Sequence, residues 1–390
     1  MSINSSWEKR AEALGLAEHQ CNGHPIQKVY FDLADMKNWS KNCVVTSSSK
    51  KSALTVDDVK GLSEPKVRIA IEKHILGTEE LDKNVESAMS QKMNSFVIYA
   101  AAAKDIKVTA NDPLIINKPG ILTTYGTVTI ENGGYIEIST TCSFQCDTLI
   151  KKASNLAANA EADIVIHGVD GNDGKPGAEG HAGANGKNGS GKECDCCGGE
   201  VAHSASPGGP GSNGGPGGNG AAGGNAGLPI TVKMDLGDIT GSVTLLARGA
   251  NGGKGGDGGT GGKGGNGGKG GDGGSCGAYH PSGKNGGNAG DGGNGGNNAS
   301  GGNASNGGDT HIVYNDKTSS GTLTPQNSIG SGGAKGSAGQ PGAAGTPGSG
   351  GSHGGVSGSG GSQGDSGQDV STNGSDAQKG TLTINGTSVN

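Results

Sequence analysis

Glycine stands at every third position from Gly168 to Gly189, from Gly208 to Gly223, from Gly249 to Gly273 and from Gly330 to Gly354. The first, third and fourth of these frames begin 81 residues apart, at 168, 249 and 330, which marks an internal repeat. Within each repeat a β-like segment leads into a Gly run, a non-repeating interruption follows, and a second Gly run leads to the next β-like segment. The strand-like segments are DIVIHG (163–168), LPITVKM and SVTLLARG (228–249), THIVYN and GTLTP (310–325), and GTLTING (380–386).

The frame selects among rod types. Collagen needs abundant Pro, whereas the whole chain has 13 and the third run, from Gly249 to Gly273, has none. A flexible linker has no reason to keep a frame of three or to place strands at intervals. A polyglycine-II helix has three residues per turn and rises ~3.1 Å per residue, so every third residue shares one face, and an all-Gly face lets rods touch along their length. The third run offers two small faces and one outward row with Lys254, Asp257, Thr260, Lys263, Asn266, Lys269 and Asp272. The run at 287–307 shows an outward Asn ladder through Asn288, Asn294, Asn297 and Asn303. Nine triplets would reach about 80 Å.

The remainder of the chain differs in kind. Residues 1–167 carry 8 of the 83 glycines and 9 of the 11 aromatic residues, so bulky apolar matter for a core is concentrated there. Trp7, Ala11 and Leu14 follow helical spacing after Ser5. Pro65, Val67, Ile71 and Ile75 predict a helix closed by Gly77, and Thr78 starts another through Leu81, Val85 and Met89. From Phe96 the pattern turns to β, with Ile106/Val108, Leu114–Ile116, and Val128/Ile130 and Ile136/Ile138 on either side of a turn at Asn132-Gly133-Gly134. These strands form either a small antiparallel sheet or the rungs of a short β-solenoid. Cys142 and Cys146 read as small core residues.

The expected fold is therefore mixed: an N-terminal α plus β (sheet or short β-solenoid) region followed by a polyglycine-II bundle of six rods in three 81-residue repeats. The division is a mainly helical attachment or assembly region at 1–100, a β region at 101–167 and a glycine-rich region at 168–390.

With strands at one end of the rods, the interruptions at 190–206, 276–282 and 352–360 share the other, distal end. They hold what the rods lack: Cys194, Cys196, Cys197, His203, Cys276, Tyr279, His280, Pro281 and His353. Irregular loops on a stiff scaffold are the usual layout of a recognition surface. The four tip cysteines, with His203 or His280, supply enough soft ligands for one structural zinc; disulfides or free thiols are the alternatives, and otherwise no cofactor is expected. No nucleophile and base stand at recognisable spacing, so no enzymatic activity is expected.

The net charge of −6, without a basic stripe, argues against nucleic acid, and no stretch approaches the ~20 apolar residues of a membrane span. The N-terminus lacks the pattern of a signal peptide, so synthesis in the cytoplasm is expected.

The alternation of framed GxxGxx runs with non-repeating segments resembles the distal tail-fibre adhesins of T-even-like bacteriophages, over about residues 163–390. The resemblance implies non-enzymatic binding to a cell-surface receptor, protein or glycan, through His203, Tyr279, His280, Pro281 and His353. It also implies action outside the cell or on a virion. A helical segment with no site of its own, joined to a rod that needs mounting, predicts self-association or docking through the N-terminal region. A toxin exported without a signal, or a self-assembling structural protein, could use the same spike. An ice-binding protein would use the flat Asn ladder.

Overall fold

A computed structural model describes residues 6–16, 27–32, 50–76, 79–93, 95–118, 120–152, 161–194, 201–275 and 280–389. Helix α1 (Trp7–Ala13), strands β1 (Gln27–Asp32) and β2 (Lys50–Lys51), helices α2 (Val56–Gly61) and α3 (Glu64–Ile75), strand β3 (Glu79–Glu80) and helix α4 (Lys83–Lys92) open the chain. Pro65 sits in the first turn of α3, whose Val67, Ile71 and Ile75 are buried. Asp82, not Thr78, caps α4 by accepting the Asn84 N–H at 2.8 Å; Thr78, Gly77 and Ser5 lie outside the described residues.

The β region follows as β4 (Ser95–Val108), β5 (Leu114–Ile116), β6 (Ile121–Ile130), β7 (Ile136–Ile138), β8 (Cys142–Lys151) and β9 (Ile164–His167). All pairings among these six are parallel: β4–β6–β8 in one sheet and β5–β7–β9 in the other. Each turn of chain thus places one strand in each sheet. The strands alternate inward apolar residues, and Ile106, Val128 and Leu149 stack at one level of the core. Tyr125 and Phe144 pack with ring centroids 5.7 Å apart, and Cys142 and Cys146 are buried free thiols between the sheets. Helices α1, α3 and α4 cover the outer face of β4 and β6 at Ala100, Ala102 and Leu122. Arg10 of α1 fixes that contact, donating to the Thr124 hydroxyl at 2.7 Å and pairing with Asp147 at 2.8 Å.

The stack does not stop at residue 167. After β10 (Glu193–Cys194) and β11 (Val201–His203), strands β12 (Thr231–Asp235), β13 (Asp238–Thr240), β14 (Ser242–Arg248), β15 (Asp309–Val313), β16 (Thr322–Ser328), β17 (Thr381–Ile384) and β18 (Thr387–Val389) extend both sheets. The large sheet runs β1-β4-β6-β8-β12-β15-β17-β18, with β13 also on β8, and the small one β16-β14-β9-β7-β5. Within these two sheets, among the described residues, only β1 and β18, at the two ends of the large sheet, pair antiparallel.

This corrects the expected fold class. The chain is mostly β, 26% strand against 11% helix, an α/β arrangement organised by two mixed and parallel sheets. It is not a polyglycine-II bundle of six rods hung on a separate α plus β region. The physical reason is that parallel pairing carries one core across residue 168: Val232 and Met234 continue the inward rows of Cys142 and Phe144. The glycine runs are the connections of that stack, each leaving a strand of the small sheet and returning to the large one. Nor is the repeat a constant 81: equivalent positions are 81 and then 80 residues apart on outgoing runs, as for Asp170, Asn251 and Ser331, and 78 and then 71 on returning runs, as for Asn213, Asp291 and Ser362.

Numbered in chain order, runs 1 to 6 span 168–192, 204–230, 249–275, 283–308, 329–351 and 355–380. Runs 1, 3 and 5 lie side by side, Gly174 donating its N–H to the Lys254 carbonyl at 2.7 Å and Gly255 to Ala334 at 2.8 Å. Runs 2, 4 and 6 form a second layer, with Gly211 donating to Asn288 at 2.9 Å and Gly292 to Ser362 at 2.8 Å. Between layers Gly259 donates to Gly218 at 2.8 Å, Gly290 to Gly265 at 2.8 Å and Gly339 to Gly296 at 2.9 Å. The result is a two-layer plate joined to the strands at one end.

Candidate functional site: the turns at the free end of the glycine plate

The runs change direction at the end away from the sheets, and their backbones tie the three turns together. In the first, Glu193 faces His203 and Cys194 faces Val201 across an antiparallel pair. In the second, Gly274 donates to the Pro281 carbonyl at 3.2 Å, and the Ser275 hydroxyl lies 2.7 Å from Nδ1 of His280. The third is a tight turn in which His353 has φ 64° and Gly354 φ 99°, left-handed backbone that favours glycine and strains His353. Lys192 donates to the Asp272 carbonyl at 3.3 Å, Gly273 to Ser352 at 3.0 Å and Gly283 to His353 at 2.9 Å. The described ends of the turns therefore stand in a row joined by backbone bonds.

His203, His280 and His353 are all exposed in this row, one per turn, and Pro281 is partly buried beside them. Tyr279, Cys196, Cys197 and Cys276 lie outside the described residues; Cys194 is placed by its backbone on β10. Among the described residues no three His, Cys, Asp or Glu side chains converge as metal ligands. The two described thiols, Cys142 and Cys146, are shifted well above the ordinary range by burial, which makes them poor nucleophiles and poor ligands.

The outward rows of the plate hold a device that spacing alone did not reveal. Asn and Asp at the outward position of one run accept, through Oδ1, the backbone N–H of the equivalent residue on the next run of the same layer. Asp170, Asp173, Asn185 and Asn188 cap the N–H groups of Asn251, Lys254, Asn266 and Lys269 at 2.7 to 2.9 Å. Asp257 and Asp272 cap Ser337 at 2.7 Å and Ser352 at 2.8 Å. These bonds favour the ionised carboxylates: the Ser352 N–H and then Lys269 bring Asp272 down to about 2, and the Ser337 N–H lowers Asp257. In the second layer the same role falls almost wholly to neutral Asn, with Asn288, Asn294 and Asn303 capping Ser359, Asp365 and Ser375. The signal was present as Asx recurring in the outward rows of runs 1 to 4 and missing from that of run 5, which reads Ser331, Ala334, Ser337, Gln340, Ala343, Thr346 and Ser349.

Where run 1 leaves the small sheet, Arg248 pairs with Asp170 at 3.0 Å and Glu161 at 3.3 Å. Burial opposes ionisation of Asp170, but Arg248 and the Asn251 N–H hold its carboxyl below the usual range. These pairs tie run 1 to β14. Lys151 at the end of β8 and Asp163 before β9 form a separate ion pair at 2.6 Å, with both side chains buried, that links the two sheets. No helix among the described residues is long and apolar enough to cross a membrane. No family model, curated protein or solved structure matches the chain.

Proposed function

We propose that the protein is a non-enzymatic binding protein whose glycine plate holds a row of turns against a receptor on a cell surface. The observation that carries the reading is the backbone coupling of the described ends of the three turns, each with one exposed histidine. A surface already fixed by backbone bonds loses little conformational entropy on contact, and exposed polar and aromatic loop groups are the usual anchors of such contacts. The resemblance of residues 163–390 to phage tail-fibre adhesins supports the same assignment.

The test is direct binding of the labelled full chain to a panel of bacterial cells. Replacing His203, Tyr279 and His280 together by Ala is expected to leave the melting temperature unchanged and to reduce cell binding at least tenfold. Replacing Thr260 and Lys263, on the outward row of run 3, is expected to change neither. Undiminished binding by the triple variant removes the turns from the function.

A further inference from the structure

We propose that the outer face of runs 2, 4 and 6 is a second binding surface, which takes a neutral N-acetylated glycan lying along the runs. The inference starts from the orientation of its amides. Asn213, Asn219 and Asn225 accept the N–H groups of Asp291, Asn297 and Asn303 at 2.9, 2.9 and 2.8 Å. Asn288, Asn294 and Asn303 accept those of Ser359, Asp365 and Ser375 at 2.9, 2.8 and 2.9 Å. A backbone N–H meets only the oxygen of an amide, so these bonds also settle which end of each side chain is which. The oxygen of each is held down on the plate, and the NH2 group is left to solvent on an exposed residue.

The surface is therefore an array of donors whose matching acceptors are already used. Along runs 2 and 4 the donors recur at multiples of three residues. Neighbouring runs bond backbone to backbone, which sets a lateral spacing of about 5 Å. Every side chain in the array is fixed before a ligand arrives, so the ordering cost that normally penalises polar surface contacts is already met. The outward rows of runs 2 and 4 carry one charge, Asp291, and that of run 6 one, Asp365. The opposite face carries Lys254, Lys263 and Lys269 with Asp257 and Asp272, and two of its Lys–Asp pairs are closed ion pairs.

An array of neutral amide donors, charged only at Asp291 and Asp365, fits a partner with repeated neutral acceptors and no formal charge. Acetamido carbonyls on an extended sugar chain supply these, and amide carbonyls accept more strongly than hydroxyl or ring oxygens. The surface is separate from the turns at the free end, so it stands or falls independently of the function proposed above.

The test uses the full chain with chitin beads and soluble chitohexaose. Asn288→Asp, Asn294→Asp and Asn303→Asp together keep an Oδ1 acceptor for the next run, as Asp291 does natively for the Ser362 N–H at 2.7 Å, but remove the donors. Asn185→Asp, Asn251→Asp and Asn266→Asp make the same change on the opposite face. Retention of the native protein on chitin is expected to fall at least tenfold in the first triple variant and to persist in the second and in His203→Ala/His280→Ala. Should the first triple variant melt early, Asn288→Ser, Asn294→Ser and Asn303→Ser replace it, since Ser300 already caps Thr372 at 3.2 Å with a hydroxyl. Failure of the native protein to bind either probe overturns the proposal. So does equal loss in the two Asp triples, or a native protein that depresses the freezing point of water instead of binding glycan.

Discussion

At the residue scale the plate is governed by what a single Cβ would meet. A side chain at Gly264 would drive its Cβ into the Gly290 carbonyl oxygen of run 4, with the Asp291 carbonyl 2.7 Å away. One residue earlier, Lys263 is exposed. Gly264→Val is therefore expected to cost about 3 kcal/mol or more through overpacking, whereas Lys263→Ala should stay within about 0.5 kcal/mol. Thermal melts of the two variants check this, and equal melting temperatures would show that the runs are not in contact at this point. This much was legible in the sequence, because a frame of three with Gly on two rows permits only close approach on those rows. The capping role of the outward Asn and Asp was not. An outward polar residue reads as solvated until the neighbouring run supplies an unpaired N–H, and that neighbour lies 71 to 81 residues away.

At the scale of elements the informative irregularity is in run 6. Gly recurs every third residue to Gly367, and the next residue to face run 5 is Ser371, four positions on. Opposite this slip stands Asn298, buried in a row of run 4 that otherwise holds Gly and Ala. Its Nδ2 donates to the Gly336 carbonyl at 2.8 Å and to Asp369 at 2.6 Å, and its Oδ1 accepts the Val370 N–H at 3.2 Å. Asp369 also pairs with Lys335. The extra residue in run 6 makes room for the extra side chain in run 4, and the offset between the two runs steps from 71 to 72 there. Asn298→Gly alone is expected to destabilise by about 1–3 kcal/mol, since it strands the partners of a buried polar group. Deleting Val370 alone should do the same by forcing the regular frame against Asn298. The two changes together restore Gly against a regular frame and should recover most of the lost stability in denaturant melts; additive losses would break the pairing of slip and side chain. Strand register was similarly half legible. Ile106, Val128 and Leu149 recur at offsets of 22 and 21, but alternation within each strand is the same for parallel and antiparallel pairs, so direction had to come from the connections.

At the scale of the whole molecule the question is why a stack built from repeating backbone bonds ends where it does. The two ends are closed by residues that cannot pass the pattern on. On run 5, Pro341 and Pro347 occupy the row equivalent to Gly261 and Gly267 of run 3, whose N–H groups donate to the Gln340 and Thr346 carbonyls. Proline has no N–H to offer a seventh run, and its ring fills the space that run would need. Run 5 also lacks outward Asn or Asp to cap such a run. In the same edge Pro325 blunts strand β16, and β18 turns back antiparallel to cover β17. At the opposite edge Pro176 lies on the outward row of run 1, and Pro207, Pro210 and Pro216 on that of run 2, where the N–H would face away from the stack; runs 3 and 4, between the edges, contain no proline. Association through the helical region leaves both edges as they are, so lateral growth is a separate property and is expected to be absent. Native protein should show no filaments by electron microscopy after prolonged incubation at high concentration. A variant with Pro325→Thr, Pro341→Gly and Pro347→Gly, shortened to end at Gly386 so that β17 is uncovered, exposes paired-strand and glycine edges together and should give concentration-dependent growth in sedimentation. Filaments of the native chain that grow through this edge would show that the prolines do not close it, and would return the molecule to the class of self-assembling structural proteins.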